Sequence, residues 1–364
     1  LEQITLGIMS VHLSHENGYV TEIAKRCASY GMNCVRFVPT SIDPIDLTII
    51  GETFEQSTQT WINDTFSIPP FIYDRCFYNQ SHASKRCKPI VEWLKKNPTT
   101  TFLGYGLPDK WKVYSCIQKN NHLNSYLPDT ELVQTAVQIL RRLKNDSSCI
   151  LKPIIGSRGL GIVAIHQTPQ EIMITYHNGP DKKTRRFHSI ETFTEWCERL
   201  LLQQGYLLQP LLPLVDREGY PFDIRILLQK DADGHWSHIE KGVRKGYRGS
   251  FLSNLTTGGE PITYEQWSEQ LTPRQRFLLE DELSTILSHL PSLLEDSFGR
   301  LFELGIDIGY AKNGSIWILD VNSKPGRKTF IETKPQLKQT FYESPLAYCK
   351  YLQINNQKGA TFID

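Results

Sequence analysis

The chain has 364 residues, 40% of them hydrophobic and 22% charged, with a formal net charge of +1. This is a globular composition with length for two or three subdomains, and neither sign of charge is in the excess that marks a nucleic-acid or anionic-membrane partner. No apolar run approaches the roughly 18 residues of a membrane-spanning helix, and no secretory signal opens the sequence, although a start at Leu1 leaves room for an initiator or short leader before it.

Residues 6–11 (LGIMSV) read as a strand, 18–31 as a helix ended by Gly31, and 34–38 as the next strand. This β-α-β start suggests a small parallel sheet. A polar stretch follows. A short strand at 69–76 then ends in Asp74 and Arg75, and 88–97 reads as a helix. Residues 101–120 pass through a Gly/Pro loop into a helix starting near Asp109. Beyond it the rhythm changes. CILKPII and GIVAIHQ are strands on either side of GSRGLG, EIMITYH and TRRFHS flank the turn NGPDKK, and 190–205 is a helix with Gly205 just past its end. PFDIRILLQ and WSHIEKGVRK are strands joined by DADG, and residues 272–296 form a long amphipathic helix. The expected class is α/β, more narrowly α+β, divided into 1–108, 109–212 and 213–364.

Two stretches carry chemistry. In ELGIDIGYAKNGSIWILDVN, Asn313-Gly314 is a strong two-residue hairpin signal. With Lys312 facing Ser315, outward counting sets Asp307 opposite Asp320, with Asn322 on the same face. Two facing carboxylates in apolar strands need a cation, a proton or a basic side chain between them, and oxygen donors favour Mg²⁺. A solvated hairpin end with one raised carboxyl pKa is the plainer alternative. The second stretch, LKPIIGSRGLGIV, sets Lys152 ahead of Gly156, Gly159 and Gly161. It is neither a Walker A loop nor a dinucleotide fingerprint. Glycines let backbone N–H groups wrap around phosphate oxygens, and a lysine adds a point charge. A flexible hairpin loop would read the same way.

Eight cysteines form no Cys-x-x-Cys and ten histidines form no pair at zinc spacing, so reduced thiols in a cytoplasmic protein are expected. No Gly-x-Ser-x-Gly elbow appears.

In their order these motifs resemble the ATP-grasp superfamily: DK at 109–110, LKPIIGSRGLGI at 151–162, QPLL at 209–212, DIR at 223–225, RKGYRGSFLSNLTTGGE at 244–260, GIDI at 305–308 and LDVNSKPG at 319–326. The later portion is similar to the ligases that add glutamate to a ribosomal protein. The whole chain, including YDR at 73–75 and DKWKVY at 109–114, resembles the YheC/YheD group of spore-forming bacteria, often labelled spore-coat associated. The resemblance implies a small parallel-sheet N-terminal domain before two α+β subdomains that clasp ATP. It implies an ATP-dependent carboxylate–amine ligase working through an acyl phosphate, with ATP and Mg²⁺ (or Mn²⁺) bound. The implied partners are a small-molecule or peptide carboxylate and an amine, without nucleic acid or membrane. The oligomeric state stays unassigned. A nucleotide-binding coat-associated protein without turnover and a small-molecule kinase are the alternatives.

By the same resemblance Lys110 (or its neighbour Lys112) and Lys152 contact ATP phosphates beneath a flap containing Gly156, Ser157, Gly159 and Gly161. Gln209, Pro210 and Leu211 form the hinge whose backbone reads adenine. Asp223 lies near the ribose, or instead forms a structural ion pair with Arg225. Arg225, Arg244 and Asn254 serve the transferred phosphate and acyl group, and Asp307, Asp320 and Asn322 form the metal triad. The glutamate ligases usually carry glutamate at the position of Asp320. YDRC (73–76) and RKGYRG (244–249) are candidate substrate contacts with no ligand assigned.

Overall fold

The structure, a computed structural model, describes residues 4–78, 81–156, 159–179 and 181–360. Its first sheet contains β1 (Ile4–Met9), β2 (Met32–Phe37), β3 (Thr48–Glu55), β4 (Thr60–Ser67), β5 (Phe71–Asp74) and β6 (Thr101–Phe102), in the order β4-β3-β2-β1-β5-β6. The run β2-β1-β5-β6 is parallel. Between β1 and β2, helix α1 (Asn17–Cys27) buries Val20, Ile23, Ala24 and Cys27, one face at helical spacing. The polar stretch after β2 holds the antiparallel pair β3 and β4, which the sequence reading left unassigned. β4 is an edge strand with mostly exposed side chains, so no apolar alternation marks it. The helix expected at 88–97 is α2 (His82–Leu94), which starts earlier because the Ser81 hydroxyl accepts from the Ser84 amide at 3.3 Å.

Helix α3 (Lys110–Gln118) begins after Asp109, whose carboxylate accepts from the Lys112 amide at 3.0 Å. The second sheet is antiparallel: β7 (Glu131–Val133), β8 (Ser148–Pro153), β9 (Val163–Gln167), β10 (Ile172–Asn178), β11 (Asp181–Phe187) and β12 (Tyr206–Pro210), in the order β11-β10-β9-β8-β12-β7. Helices α4 (Ala136–Asp146) and α5 (Ile190–Leu201) pack against it through Ile139, Leu143, Phe193 and Cys197. The sequence reading missed α4, although Thr135 and Gln138 form a capping box at its start. It also drew the β10–β11 turn too long: Asn178 already faces Asp181.

The third sheet contains β13 (Phe222–Lys230), β14 (Trp236–Lys245), β15 (Glu260–Thr263), β16 (Glu303–Tyr310) and β17 (Ile316–Asn322), in the order β15-β14-β13-β16-β17. Helix α6 (Tyr264–Ser268) leads into α7 (Pro273–Phe298), which buries Leu279, Leu283, Ile286, Leu290 and Leu294 in the core of this sheet. The short α8 (Lys328–Thr333) follows, then α9 (Lys338–Ala360). Leu346, Tyr348, Cys349 and Leu352 of α9 pack with Leu6, Ile8, Ile23 and Cys27, so the far end of the described chain completes the core of the first sheet. All eight cysteines are free thiols.

The β16–β17 hairpin corrects the sequence reading in its turn. Ala311, not Lys312, faces Ser315: the Ala311 amide donates to the Ser315 carbonyl and the Gly314 amide to the Ala311 carbonyl, each at 2.9 Å. Gly314 sits at φ 87°, so this is a three-residue loop with a left-handed glycine. Ile308 then faces Ile318 while Asp307 faces Asp320, with Leu319 as the extra residue of a bulge. The bulge takes back the offset introduced by the turn, and the two carboxylates still meet.

Candidate active site

A cavity of about 1190 Å³ lies between the second and third sheets and reaches the N-terminal end of α1. Lys152 on β8, Gln209 at the end of β12, Asp223 and Arg225 on β13, and Asp307 and Asp320 on the acidic hairpin all border it. β13 lies between β14 and β16, so Arg225 falls beside Asp307 and Asp223 beside Arg244 in the ladder. These pairings set the electrostatics.

Arg225 Nη1 bonds Asp307 Oδ1. Arg244 holds Asp223 through Nε at 2.8 Å and through Nη2, and the same Nη2 reaches Asp307 Oδ2 at 2.8 Å. The Asp223–Arg225 ion pair considered from sequence is therefore replaced by Asp223–Arg244, and both Asp223 oxygens are committed to that arginine. Burial pushes the Asp307 carboxyl up, but Arg225 and Arg244 outweigh it and hold it at about 2. Burial raises Asp223 and prevails over Arg244.

Asp320 has its own cation. Lys110 Nζ bonds Asp320 Oδ2, while Lys112 points away with its side chain 67% exposed. Of the two lysines in DKWK, only Lys110 borders the cavity. The facing carboxylates are thus neutralised separately, Asp307 by arginines and Asp320 by lysine. Among the described residues Lys152 has no carboxylate partner, and its Nζ reaches the Leu319 carbonyl at 3.5 Å. Burial pushes its ammonium down to about 8, with Asp320 opposing the shift and Lys110 adding to it.

Asn322 Nδ2 lies 3.4 Å from Asp320 Oδ2, so Asp307, Asp320 and Asn322 gather at one hairpin end. Among the described residues no cluster of three His, Cys, Asp or Glu forms a metal site. Two carboxylates and an amide oxygen nevertheless suit Mg²⁺, which takes one or two carboxylates and leaves its other positions to water and phosphates.

Gly156 and Gly159 border the cavity. A Cβ on Gly159, at φ 75°, would come 2.7 Å from Asn254 Oδ1, so the glycine loop rests directly on Asn254. Gly161 does not border the cavity; it lets the chain turn back over Pro153, whose Cγ a Cβ there would meet at 2.9 Å. Ser157 lies outside the described residues. Gln209, Pro210 and Leu211 also line the cavity, with the Gln209 side-chain amide donating to Thr130 Oγ1 at 2.8 Å.

YDRC (73–76), read from sequence as a candidate substrate contact, does not border the cavity; it belongs to a second charged group. Arg75 grips Glu16 through Nε and Nη2, each at 2.8 Å, and Glu303 through Nη1 at 2.5 Å. Arg327 Nη2 bonds the other Glu303 oxygen and, at 2.8 Å, the Tyr73 hydroxyl. Lys324 pairs with Asp74 at 2.7 Å. The one signal for this group was YDR, two charges closing an apolar strand; its partners come from distant parts of the chain.

The model of YheC/D like ATP-grasp proteins matches residues 99–352. The chain belongs to the YheC/D-like ATP-grasp family. It is 42% identical to the endospore coat-associated protein YheC of Bacillus subtilis (strain 168) over 357 residues, 98% of each chain. It is 25% identical to YheD of the same organism over 285 residues, 74% of this chain and 60% of YheD. Solved ATP-grasp structures share the fold. The D-alanine-D-alanine ligase from Coxiella burnetii superposes with a TM-score of 0.54 at 10% identity, covering 100% of this chain and 99% of that one. The D-cycloserine synthetase DcsG gives 0.53 at 12% identity, covering 94% and 98%. Among the described residues of this family member, no helix is long and apolar enough to cross a membrane.

Proposed function

We propose that this protein is an ATP-dependent ligase that joins a carboxylate to an amine through an acyl phosphate. The observation that carries the reading is the gathering of Lys110, Lys152, Arg225 and Arg244 around Asp307, Asp320 and Asn322 in one chamber. At about 1190 Å³ that chamber exceeds the roughly 300–1,000 Å³ of an ordinary ligand pocket and has room for a nucleotide and a second molecule.

A carboxylate and a triphosphate repel each other, so bringing them together takes fixed positive charge. Lys152, half-buried and without a carboxylate partner among the described residues, takes the nucleotide phosphates together with Lys110. Gln209, Pro210 and Leu211 offer backbone groups to the adenine. Arg225 and Arg244 face the transferred phosphoryl group, and Asp223 keeps Arg244 in place rather than reaching a ribose. Asp307, Asp320 and Asn322 would hold Mg²⁺, which when bound offsets phosphate charge. The substrate carboxylate attacks the γ-phosphorus, ADP leaves, and the amine then displaces phosphate to form the amide. Gly159 and Asn254 close the glycine loop over the reacting atoms and keep water from the acyl phosphate.

Amino acids and short peptides, supplied in pairs with Mg-ATP, test this. Phosphate release that requires both an acid and an amine is the expected result. ADP formation that ignores the amine and releases no phosphate would assign a kinase. A second reading rests on the coat-associated name of the 42% identical relative: ATP binding by calorimetry without turnover on any pair would favour a coat-associated nucleotide-binding protein.

A further inference from the structure

The edge strand of the second sheet carries a run of positive charge. β11 contains Lys182, Lys183, Arg185 and Arg186 against the single acid Asp181, in a chain whose net charge is +1. All five side chains are exposed. The strand ends the sheet order and has β10 as its ladder partner, so the N–H and C=O groups along its outer side have no strand beside them among the described residues.

The cations are divided between the two faces of the strand. Lys182, Thr184 and Arg186 stand opposite His177, Thr175 and Met173 in the ladder, and Thr175 and Met173 border the cavity. Lys183 and Arg185 project to the other face, where Ile172, Ile174 and Phe187 join the core with Phe193 and Cys197 of α5. Arg186 pairs with Glu171 at 2.8 Å. Lys183 and Arg185 have no carboxylate partner among the described residues, and the Arg185 guanidinium lies 4.8 Å over the Phe187 ring.

We propose that β11 is a docking edge for an acidic peptide, which adds to the second sheet as a further strand. An extended peptide sends successive side chains to opposite faces, as β11 does, so consecutive acidic residues each meet a cation across the strand pair. A duplex or a membrane surface would meet one face alone. Main-chain bonds along the edge supply affinity, and the cations select the sign of the partner. The same charges repel the β11 of another copy, which keeps the edge open. Lys182 joins this edge to the reaction chamber: it borders the cavity, and its Nζ donates at 2.6 Å to the carbonyl of Gly249, in the run of cavity-lining residues from Gly249 to Asn254. A peptide whose end lies at Lys182 enters the cavity beside that run. The inference rests on the ligase reading only in making the peptide a substrate.

Fluorescence anisotropy without nucleotide tests the edge. The labelled probes are octaglutamate, octaglutamine, octaglutamate N-methylated at its four central residues, and an oligothymidylate of similar charge. The protein is compared with the double variant Lys183→Glu, Arg185→Glu and with the milder Lys183→Gln, Arg185→Gln, whose changes fall on exposed side chains outside the cavity; thermal melts serve as the fold control. Octaglutamate is expected to bind tenfold or more tightly than octaglutamine and than its N-methylated form, to weaken as salt rises, and to lose at least tenfold in the charge-reversed variant. Equal binding of octaglutamate and octaglutamine, an N-methylated peptide bound as tightly as the parent, oligothymidylate bound as tightly as octaglutamate, or unchanged affinity in both folded variants would each overturn the docking edge. The ligase reading fails separately. Octaglutamate bound as expected but never turned over with Mg-ATP and an amine removes the ligase and keeps the edge, whereas a ligase active on neutral peptides that binds no octaglutamate does the reverse.

Discussion

Lys152→Met keeps the length of the side chain and removes its charge, and the structure sets the size of the effect. Lys110 has taken Asp320, so among the described residues the Lys152 ammonium is left with the Leu319 carbonyl at 3.5 Å. Burial brings it from 10.5 to about 8, which corresponds to about 3 kcal/mol of penalty on holding the charged form in the nucleotide-free fold near pH 7. The Met variant should therefore unfold at higher urea near neutral pH, by about 1–3 kcal/mol once its own repacking is allowed for. The same substitution should weaken ATP by about 1.5–3 kcal/mol, roughly ten- to hundredfold, through loss of a charge-assisted contact. The pH dependence fixes the cause. Between about pH 8 and 10.5 the unfolded chain keeps a proton that folded Lys152 has lost, so wild-type stability climbs with pH and the advantage of the variant closes. Urea titrations near pH 7 and in that alkaline window, with calorimetric ATP titration, make the assay. A Met variant that is less stable near neutral pH, a difference that ignores pH, or an unchanged ATP affinity would refute the reasoning.

Asp320→Asn should abolish Mg²⁺-dependent turnover, yet leave nucleotide-free stability within about 1 kcal/mol, because its pair with Lys110 is part-exposed at 24% and 21%; a large fall in melting temperature would mark a structural role instead. Gly159→Ala places a methyl group on Asn254 at a left-handed φ of 75°, so turnover should fall at least about tenfold while global stability drops by only about 1–3 kcal/mol; steady-state kinetics beside thermal melts separate the two effects. Arg75→Met strands Glu16 and Glu303 and should cost about 3–5 kcal/mol in urea unfolding; a loss below about 1 kcal/mol would mean that Arg327 and Lys324 hold the group together without it.

What the sequence revealed and what it hid follow from range. The acidic pair was legible because a hairpin is local: an Asn-Gly signal and alternating residues set Asp307 against Asp320. That inference assumed a two-residue turn and an unbroken ladder, and the three-residue loop and the Leu319 bulge cancelled in register. Helix α3 was legible from its cap at Asp109. The edge strand β4 was not, because solvent on both faces erases the alternation. Arg75 is fully buried, and nothing near it in sequence says so; the residues that compensate it, Glu16 and Glu303, lie far off on either side. Asp223 borders the cavity, and the ion pair with Arg225 weighed from sequence falls instead to Arg244, since the choice depends on which strands flank β13.

Helix α9 has a consequence for the order in which this molecule is made. The strands of the first sheet leave the ribosome early, but Leu6, Ile8, Ile23 and Cys27 wait for Leu346, Cys349 and Leu352 to cover them. Until those residues emerge, the nascent sheet carries an open apolar flank, the kind of surface that chaperones bind and that aggregates when left bare. Contacts of such long sequence separation also slow folding, because the loop they close spans nearly the whole chain. The wall of the cavity that α1 supplies is therefore secured last, and a ribosome stalled before residue 338 would release a chain whose acidic hairpin has formed but whose α1 wall has not.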